Sequence, residues 1–211
     1  MAIPAAREDR MNALYCALGR FVVSFSYVPS GMVQALLSDD YSAESAVEKG
    51  EANTKDLINE WHDKMRTEPG ATSADRSVLA VIHAESTRVL RIRNYLFHGF
   101  WAERLGPWGG LMLLNRDPQP RRVPPNKRRE LPAYVRSPTL QMLESYCRQA
   151  NILAEAIIIQ CNLGGPGDRS RLAIAGTGEK RVLWVRYANQ WCSSDDRASD
   201  ENPRQNGKSQ V

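Results

Sequence analysis

The sequence has few of the side chains that bind transition metals. Its 211 residues include four cysteines and three histidines. The cysteines, at positions 16, 147, 161 and 192, lie far apart, form no C-x-x-C pair and have no histidine at ligand spacing. Structural zinc sites depend on such spacings. We therefore expect no metal site, and we interpret Cys147 and Cys161 as small apolar residues on a buried helix face.

Long apolar runs are also missing. No stretch approaches the roughly 18 apolar residues that a membrane-spanning helix needs, and the first ten residues lack the apolar core of a signal peptide. The hydrophobic fraction of 42% and the charged fraction of 25% are ordinary for a globular protein. We expect a cytoplasmic protein with one core and no membrane partner, since the chain is short for two full domains.

Positive charge is concentrated in one segment. The formal net charge is +4, yet residues 116–136 alone hold seven basic and two acidic residues, a local charge of +5. This segment is either a solvated, mobile loop or a contact surface for RNA. The candidate RNA-binding residues in it are Arg121, Arg122, Lys127, Arg128 and Arg129. Trp101 and Trp108, just before it, either stack on bases or pack within a hairpin.

Apolar residues recur at three- and four-residue steps in four segments, which predicts four main helices near 8–38, 53–67, 72–98 and 137–162. Asn53 or Thr54 is expected to cap the second helix, Thr72 with Asp75 the third, and Ser137 the fourth, with Pro138 at its first position. Pro29, in the sequence Pro-Ser-Gly, is expected to kink or interrupt the first.

These elements predict an all-α fold, a four-helix bundle with a small β-hairpin or loop inserted before the last helix. The helical domain is expected to span 1–163, with a small C-terminal extension over 164–192. Within that extension, Leu172–Ala175 and Arg181–Tyr187 could pair as a hairpin. Residues 193–211 contain no core-forming pattern, which predicts a disordered tail.

One motif suggests a site: Arg93-Asn94, followed after three residues by His98-Gly99 at the end of the third helix. The arginine–histidine spacing alone carries little information. In a chain with 22 arginines and three histidines, about one match to this spacing is expected by chance. Such a match exists between Arg76 and His83. The added asparagine, glycine and helix-end position make the full string a rare accident.

The motif resembles that of HEPN domains, and the resemblance extends over about residues 8–163 through helix order. It implies a HEPN-like four-helix bundle and a metal-independent endoribonuclease without cofactor, in which Arg93, Asn94 and His98 are catalytic. It also implies a toxin or phage-defence effector, with RNA as substrate and a cognate antitoxin or other defence-system protein as possible partner. Some HEPN toxins carry a modified tyrosine two residues after the histidine; Phe100 stands there, which disfavours that subtype.

The implied chemistry suits these side chains. Histidine titrates near neutrality and can accept the proton of a ribose 2′-OH. The arginine fork can hold two phosphate oxygens, and the asparagine would orient the histidine or the phosphodiester. Asn94 and His98 lie about 40° apart around a helix, whereas Arg93 and His98 diverge by about 140°. A homodimer, in which each arginine reaches the partner's histidine, is therefore expected.

Purely structural interpretations of these residues stay open. His98 could simply complement the helix dipole and cap carbonyl groups. Arg93 could be a solvated residue or pair with Glu85 on a neighbouring turn. His62 and His83 are interpreted as ordinary helix residues. At the level of the whole chain, the alternatives are a non-catalytic HEPN-fold module that binds nucleic acid or regulates a partner, and a purely structural bundle.

Overall fold

A computed structural model describes residues 5–37, 42, 45, 48–49, 53–69, 71–97, 100–103, 111–115, 134–136, 138–161, 169–176, 181–187 and 190–194. The described part is mostly helical and contains four long helices, as predicted. Their bounds are Ala5–Leu36 for α1, Thr54–Thr67 for α2, Ser73–Phe97 for α3 and Leu140–Gln160 for α4.

The helices pack around one apolar core, and contacts between them fix their directions. The rings of Phe21 in α1 and Tyr146 in α4 lie 6.2 Å apart. Further along both helices, Gly31 lies so close to Ile157 that an added Cβ would meet that side chain at 3.2 Å. The two helices therefore run parallel, and glycine permits their close approach.

α3 runs in the opposite direction to α4. Near the middle of both helices, Nη1 of Arg88 donates a 3.0 Å hydrogen bond to Oε1 of Gln149. α2 lies alongside the ends of α1 and α4: Trp61 Nε1 donates to Cys161 Sγ at 3.4 Å, and Lys64 Nζ donates to the carbonyl oxygen of Leu36 at 2.8 Å. This lysine satisfies a carbonyl group at the end of α1 that lacks an intrahelical partner.

The expected interruption of α1 at Pro29 is wrong. The helix continues through this proline to Leu36, although an interior proline costs about 3 kcal/mol through its missing N–H and its clash with the preceding turn. Val28 and Met32, on either side, are fully buried. Burying large apolar side chains contributes about 1.5–3 kcal/mol each, so packing on both sides offsets the local penalty.

The helix caps agree with the sequence in two of three cases. The side chain of Asn53 accepts from the backbone N–H of Lys55, and Thr72 and Asp75 form the predicted reciprocal cap at α3. The cap of α4 is Thr139 instead of Ser137: its Oγ1 accepts from Met142 N at 3.1 Å. Pro138 therefore precedes the helix, because threonine is an equally competent cap two residues later.

The insert between α3 and α4 forms a three-stranded antiparallel sheet in the described residues. β1 (Phe100–Glu103) pairs with β2 (Leu111–Asn115), which confirms the predicted hairpin. β3 (Tyr134–Arg136) then pairs with the other edge of β2 and lies at the end of the segment expected to be a loop.

A second three-stranded antiparallel sheet follows α4. β4 (Leu172–Ala175) pairs with β5 (Val182–Tyr187), as the suggested hairpin predicts. β6 (Gln190–Ser193) was not predicted, and the adjacent Ser194 is buried and donates its N–H to the carbonyl oxygen of Leu183 at 2.8 Å. The expectation of a disordered tail is therefore wrong for residues 193 and 194, and residues 195–211 lie outside the described residues.

This second sheet belongs to the helical core. Leu172, Leu183 and Val185 are buried in the same apolar cluster as the helices. One face of the sheet thus completes the core, so the described part of the chain is helical with a structural β component that an all-α description omits.

α1 differs from expectation in one further respect. Over Glu8–Leu36 it is long and apolar enough, by length and composition alone, to cross a membrane. Core helices of soluble proteins pass the same test, and in this protein residues such as Phe21 and Met32 on α1 are fully buried against the bundle.

Candidate functional site

Arg93 lies on the core-facing side of α3. The buried face of this helix includes Val78, Ile82, Ser86, Val89 and Leu96. Arg93 follows Val89 by four residues and precedes Leu96 by three, so it lies within about 60° of both around the helix axis. A position that the helical pattern reserves for an apolar side chain is therefore occupied by a guanidinium, which is partly buried.

Among the described residues, α2 does not extend far enough to cover this part of α3. The rings of His62 in α2 and His83 in α3 lie 4.4 Å apart, which aligns the two antiparallel helices. α2 begins at Thr54, eight residues or about 12 Å before His62. Its first turn is thus level with Arg91, and Arg93 lies beyond the part of α3 that α2 covers.

Two neighbours on the same helix hold the Arg93 side chain. Nη1 of Arg93 donates a 3.1 Å hydrogen bond to Oδ1 of Asn94. The guanidinium carbon lies 5.6 Å from the centroid of the Phe97 ring, a cation–π distance. Phe97 is itself 38% exposed, so the arginine and the ring form a surface at the rim of the core.

Within the described part of the chain, no carboxylate pairs with Arg93. The interpretation in which Glu85 neutralises it is wrong, because Glu85 pairs with Arg88 three residues later on α3. A partly buried positive charge without a counter-ion is unfavourable. The guanidinium has five N–H donors, of which Asn94 takes one, so Arg93 is suited to bind an external anion.

Asn94 is also partly buried. Its amide oxygen accepts from Arg93 and helps to orient that side chain, a contact that the motif did not predict. Its expected role toward His98 or the phosphodiester stays a prediction, because His98 lies outside the described residues. The amide NH₂ has no partner among the residues that the structure describes. It therefore remains available as a donor beside the arginine.

The other site residues predicted from sequence lie outside the described residues. These are His98, directly after the last residue of α3, and the basic residues Arg121, Arg122, Lys127, Arg128 and Arg129. The structure therefore brings together Arg93 and Asn94 of the predicted catalytic set. It adds Phe97, which no motif indicated.

A histidine pair between α2 and α3 was missed. His62 and His83 stack at 4.4 Å, and Nε2 of His83 lies 3.0 Å from Oδ1 of Asn59. Burial lowers the pKa of His83, and the nearby His62 lowers it further, while Asp63 opposes the shift. The pair is about 15 Å from Arg93 along α3, so it belongs to the helix interface and not to this site.

Two of the four cysteines, Cys147 and Cys161, are poorly placed for nucleophilic chemistry. Burial raises the pKa of Cys161 to about 11, and Trp61 donates to its sulfur. Burial also raises the pKa of Cys147. Because the thiolate is the reactive form, both stay unreactive at neutral pH. Among the described residues no three histidine, cysteine, aspartate or glutamate side chains are grouped to hold a metal ion.

Comparison with known proteins adds no further assignment. The chain matches no protein-family model, and neither a search of curated proteins nor a search of solved structures finds a match. Function must therefore be inferred from the residues near the C-terminal end of α3.

Proposed function

We propose that the chain is a HEPN-type, metal-independent endoribonuclease that cleaves RNA by attack of a ribose 2′-OH on the adjacent phosphate. The observation that supports this most is Arg93, a partly buried guanidinium on the core-facing stripe of α3 without a carboxylate partner among the described residues. A phosphodiester is an anion that its planar fork and its only partly buried setting suit.

In this proposal each residue has a separate task. Arg93 binds the phosphate and stabilises the charge that develops on its oxygens. Asn94 fixes the arginine through its amide oxygen and donates from its NH₂ group to the phosphodiester. His98, five residues after Arg93, accepts the 2′-OH proton. The products end in a 2′,3′-cyclic phosphate and a 5′-hydroxyl, because the ribose supplies the nucleophile.

The basic segment is proposed to bind the RNA backbone. Residues 116–136 lie between β2 and the end of β3, in the insert that follows the arginine-bearing helix. Seven positive charges against two would attract a polyanion without reading its sequence. We assign this role to the five residues Arg121, Arg122, Lys127, Arg128 and Arg129.

We also propose that the active form is a homodimer in which two His98 side chains face a shared groove. The exposed face of α1 supports an interface between copies, because from Asn12 to Gln34 its only charged residue is Arg20, which pairs with Glu144 on α4. The face includes four large exposed side chains: Tyr15, Val22, Val23 and Tyr27.

This face of α1 also extends to the level of Arg93 along the bundle. Arg93 lies five residues, about 7.5 Å, beyond the Arg88–Gln149 contact along α3. Arg93 is therefore level with the start of α4, where Arg20 of α1 pairs with Glu144. α1 alone offers about 330 Å², from a rise of about 33 Å between Asn12 and Gln34 and a helix width of about 10 Å. This is less than the roughly 800 Å² per partner of a stable interface. Neighbouring apolar residues of α4, such as Ile158, are therefore expected to contribute.

Biological context is proposed from the motif's resemblance alone. A ribonuclease of this type would act in the cytoplasm as a toxin or phage-defence effector, held in check by an antitoxin or another defence protein. The alternative is a module of the same fold that binds nucleic acid or regulates a partner without cleaving.

A matched pair of arginine variants tests the proposal. Arg93→Ala removes the proposed phosphate ligand, whereas Arg91→Ala removes an exposed arginine of the same helix. We expect cleavage of a mixed RNA to fall about 10²–10³-fold in the first variant and less than about threefold in the second, as for an exposed phosphate contact. Equal activity of both variants would contradict the proposed role of Arg93. RNA binding without any cleavage by the wild type would favour the non-catalytic alternative.

A further inference from the structure

A second site lies at the end of the bundle opposite Arg93. The start of α3, the end of α4 and strand β4 enclose a cavity of 240 Å³. Its apolar walls include Val78 and Leu172, which are each 4% exposed, and its polar walls include Gln160, Asp75 and Arg169. It is about 27 Å from Arg93, the rise of the 18 residues of α3 between Asp75 and Arg93.

Gln160 is the feature that points to a ligand. This residue ends α4, is 3% exposed and lines the cavity. Its side-chain amide makes no hydrogen bond to any residue that the structure describes. Its nitrogen and oxygen are not among the fully enclosed, unpartnered polar atoms of the described residues, so the amide reaches the open space of the cavity. A bound molecule with a matching polar edge would satisfy it.

The charges that line the cavity already cancel. Oδ1 of Asp75 accepts from Arg169 Nη1 at 2.8 Å. Oδ2 accepts from the backbone N–H and the hydroxyl of Thr72, at 2.9 and 2.8 Å. Both oxygens of the carboxylate are therefore engaged, and the Asp75–Arg169 pair has no net charge. This setting favours a neutral ligand over a phosphate or an ammonium group.

We propose that this cavity binds a single nucleobase, adenine in preference to the others. The amide of Gln160 presents an acceptor beside a donor, which complements the N6–N7 edge of adenine. Arg169 offers a planar guanidinium on which a base can stack, and Val78 and Leu172 supply apolar contact. The volume lies below the roughly 300–1,000 Å³ of sites for larger ligands, so one base fits while its ribose stays outside.

Melting of the full-length protein with adenosine or uridine tests the site. Gln160→Met removes the amide at nearly constant volume, and Ala74→Leu fills the cavity from its wall. Gln34→Met is the matched control, because Gln34 lines a separate cavity of 290 Å³ between α1 and α4. We expect adenosine to raise the melting temperature saturably and uridine to bind at least tenfold more weakly. Adenosine affinity should fall at least tenfold in the first two variants and stay unchanged in the control.

Three results would refute the proposed base-binding site. No saturable effect of adenosine on the wild type, or unchanged affinity in both cavity variants, would refute the site. Loss of binding in Gln34→Met alone would place adenosine in the other cavity and also refute it. A variant that melts well below the wild type without ligand is set aside, and the other cavity variant decides the outcome.

A second experiment distinguishes a base within RNA from a free nucleoside. A ten-nucleotide oligoadenylate should bind more tightly than adenosine if the site captures a base splayed from RNA, and equally tightly if it takes the free nucleoside. Either result supports base recognition, provided that Gln160→Met weakens it. The inference is independent of cleavage: Arg93→Ala should leave adenosine affinity unchanged, and a failure of adenosine to bind would leave cleavage of an oligouridylate by the wild type unaffected.

Discussion

Arg93 occupies a position on α3 where an apolar side chain would ordinarily be expected. Between Val89 and Leu96, on the stripe that buries the rest of α3, an apolar side chain would contribute to the core. The guanidinium instead has one amide oxygen and one aromatic ring as partners. Residues that lower stability in this way are typical of functional sites, where activity and stability are in conflict.

This conflict gives a prediction for Arg93→Leu. A leucine at this position can join the apolar stripe and removes a poorly neutralised charge, so we expect the free energy of unfolding to rise by about 1 kcal/mol. RNA cleavage should be lost in the same variant. Urea denaturation measures the first quantity, with Arg91→Leu on the exposed side as the control. A loss of stability in Arg93→Leu would mean that the arginine holds the fold together, contrary to this account.

The stacked histidines predict a dependence of stability on pH. Burial, followed by the charge of His62, lowers the pKa of His83 below the ordinary value of 6.5. The unfolded chain therefore binds a proton at a higher pH than the folded chain does. The stability that this group contributes is complete above pH 6.5 and is lost as pH falls from 6.5 through the lower, folded-state pKa.

Thermal melting between pH 7.5 and pH 5 measures this effect. The wild type should lose stability over the range, and His83→Gln should remove much of the loss. His62→Gln should reduce it less, because burial of His83 remains. If His83→Gln shows the same pH profile as the wild type, other groups must cause the dependence.

At the scale of secondary structure, the sequence predicts best the features that depend on residues close together in the chain. α2 and α3 begin at caps that can be recognised from neighbouring residues, Asn53 and the Thr72–Asp75 pair. Pro29 shows the opposite case, because burial of Val28 and Met32 against other helices decides its effect. β6 follows β5 after only two residues and pairs with it. It was missed because Ala188-Asn189 is not one of the glycine-containing pairs that signal a hairpin.

The same distinction applies to the candidate site. The motif identifies Arg93 and Asn94, and the apolar spacing of α3 is sufficient to show that Arg93 faces the core. The hydrogen bond between the two side chains depends on rotamers. The His62–His83 stack depends on the alignment of two helices. Neither contact has a sequence signature.

The exposed face of α1 carries a prediction about assembly. Val23 is 54% exposed at the middle of this face, whose one charged residue is Arg20. Glu at this position would place a charge in the proposed interface, where like charges from two copies would approach each other. We expect Val23→Glu to be monomeric at micromolar concentration in light scattering and to lose RNA cleavage.

The matched control for the interface is Gln141→Glu, which adds the same charge at an exposed position of α4. It should remain dimeric. A wild-type protein that is a stable monomer and cleaves RNA at full rate would refute the dimer, and so would a Val23→Glu variant that assembles normally.

At the scale of the whole molecule, the two proposed sites lie at opposite ends of α3. One end of α3 carries Arg93 and Asn94, and the chain continues from this end into a segment with a net charge of +5. The other end holds the buried Gln160 and a mutually neutralised Asp75–Arg169 pair, whose arginine is 44% exposed. We propose a phosphate ligand at the first end and an uncharged base at the second.

Cleavage of RNA by His98→Ala tests the central claim most directly. The wild type, in EDTA, should convert a mixed RNA into fragments with 2′,3′-cyclic phosphate and 5′-hydroxyl ends. The variant should be slower by about 10²–10⁴-fold, the usual contribution of a general base, while melting like the wild type. A folded His98→Ala protein that cleaves RNA as fast as the wild type, or a wild type whose cleavage EDTA abolishes, would contradict the account.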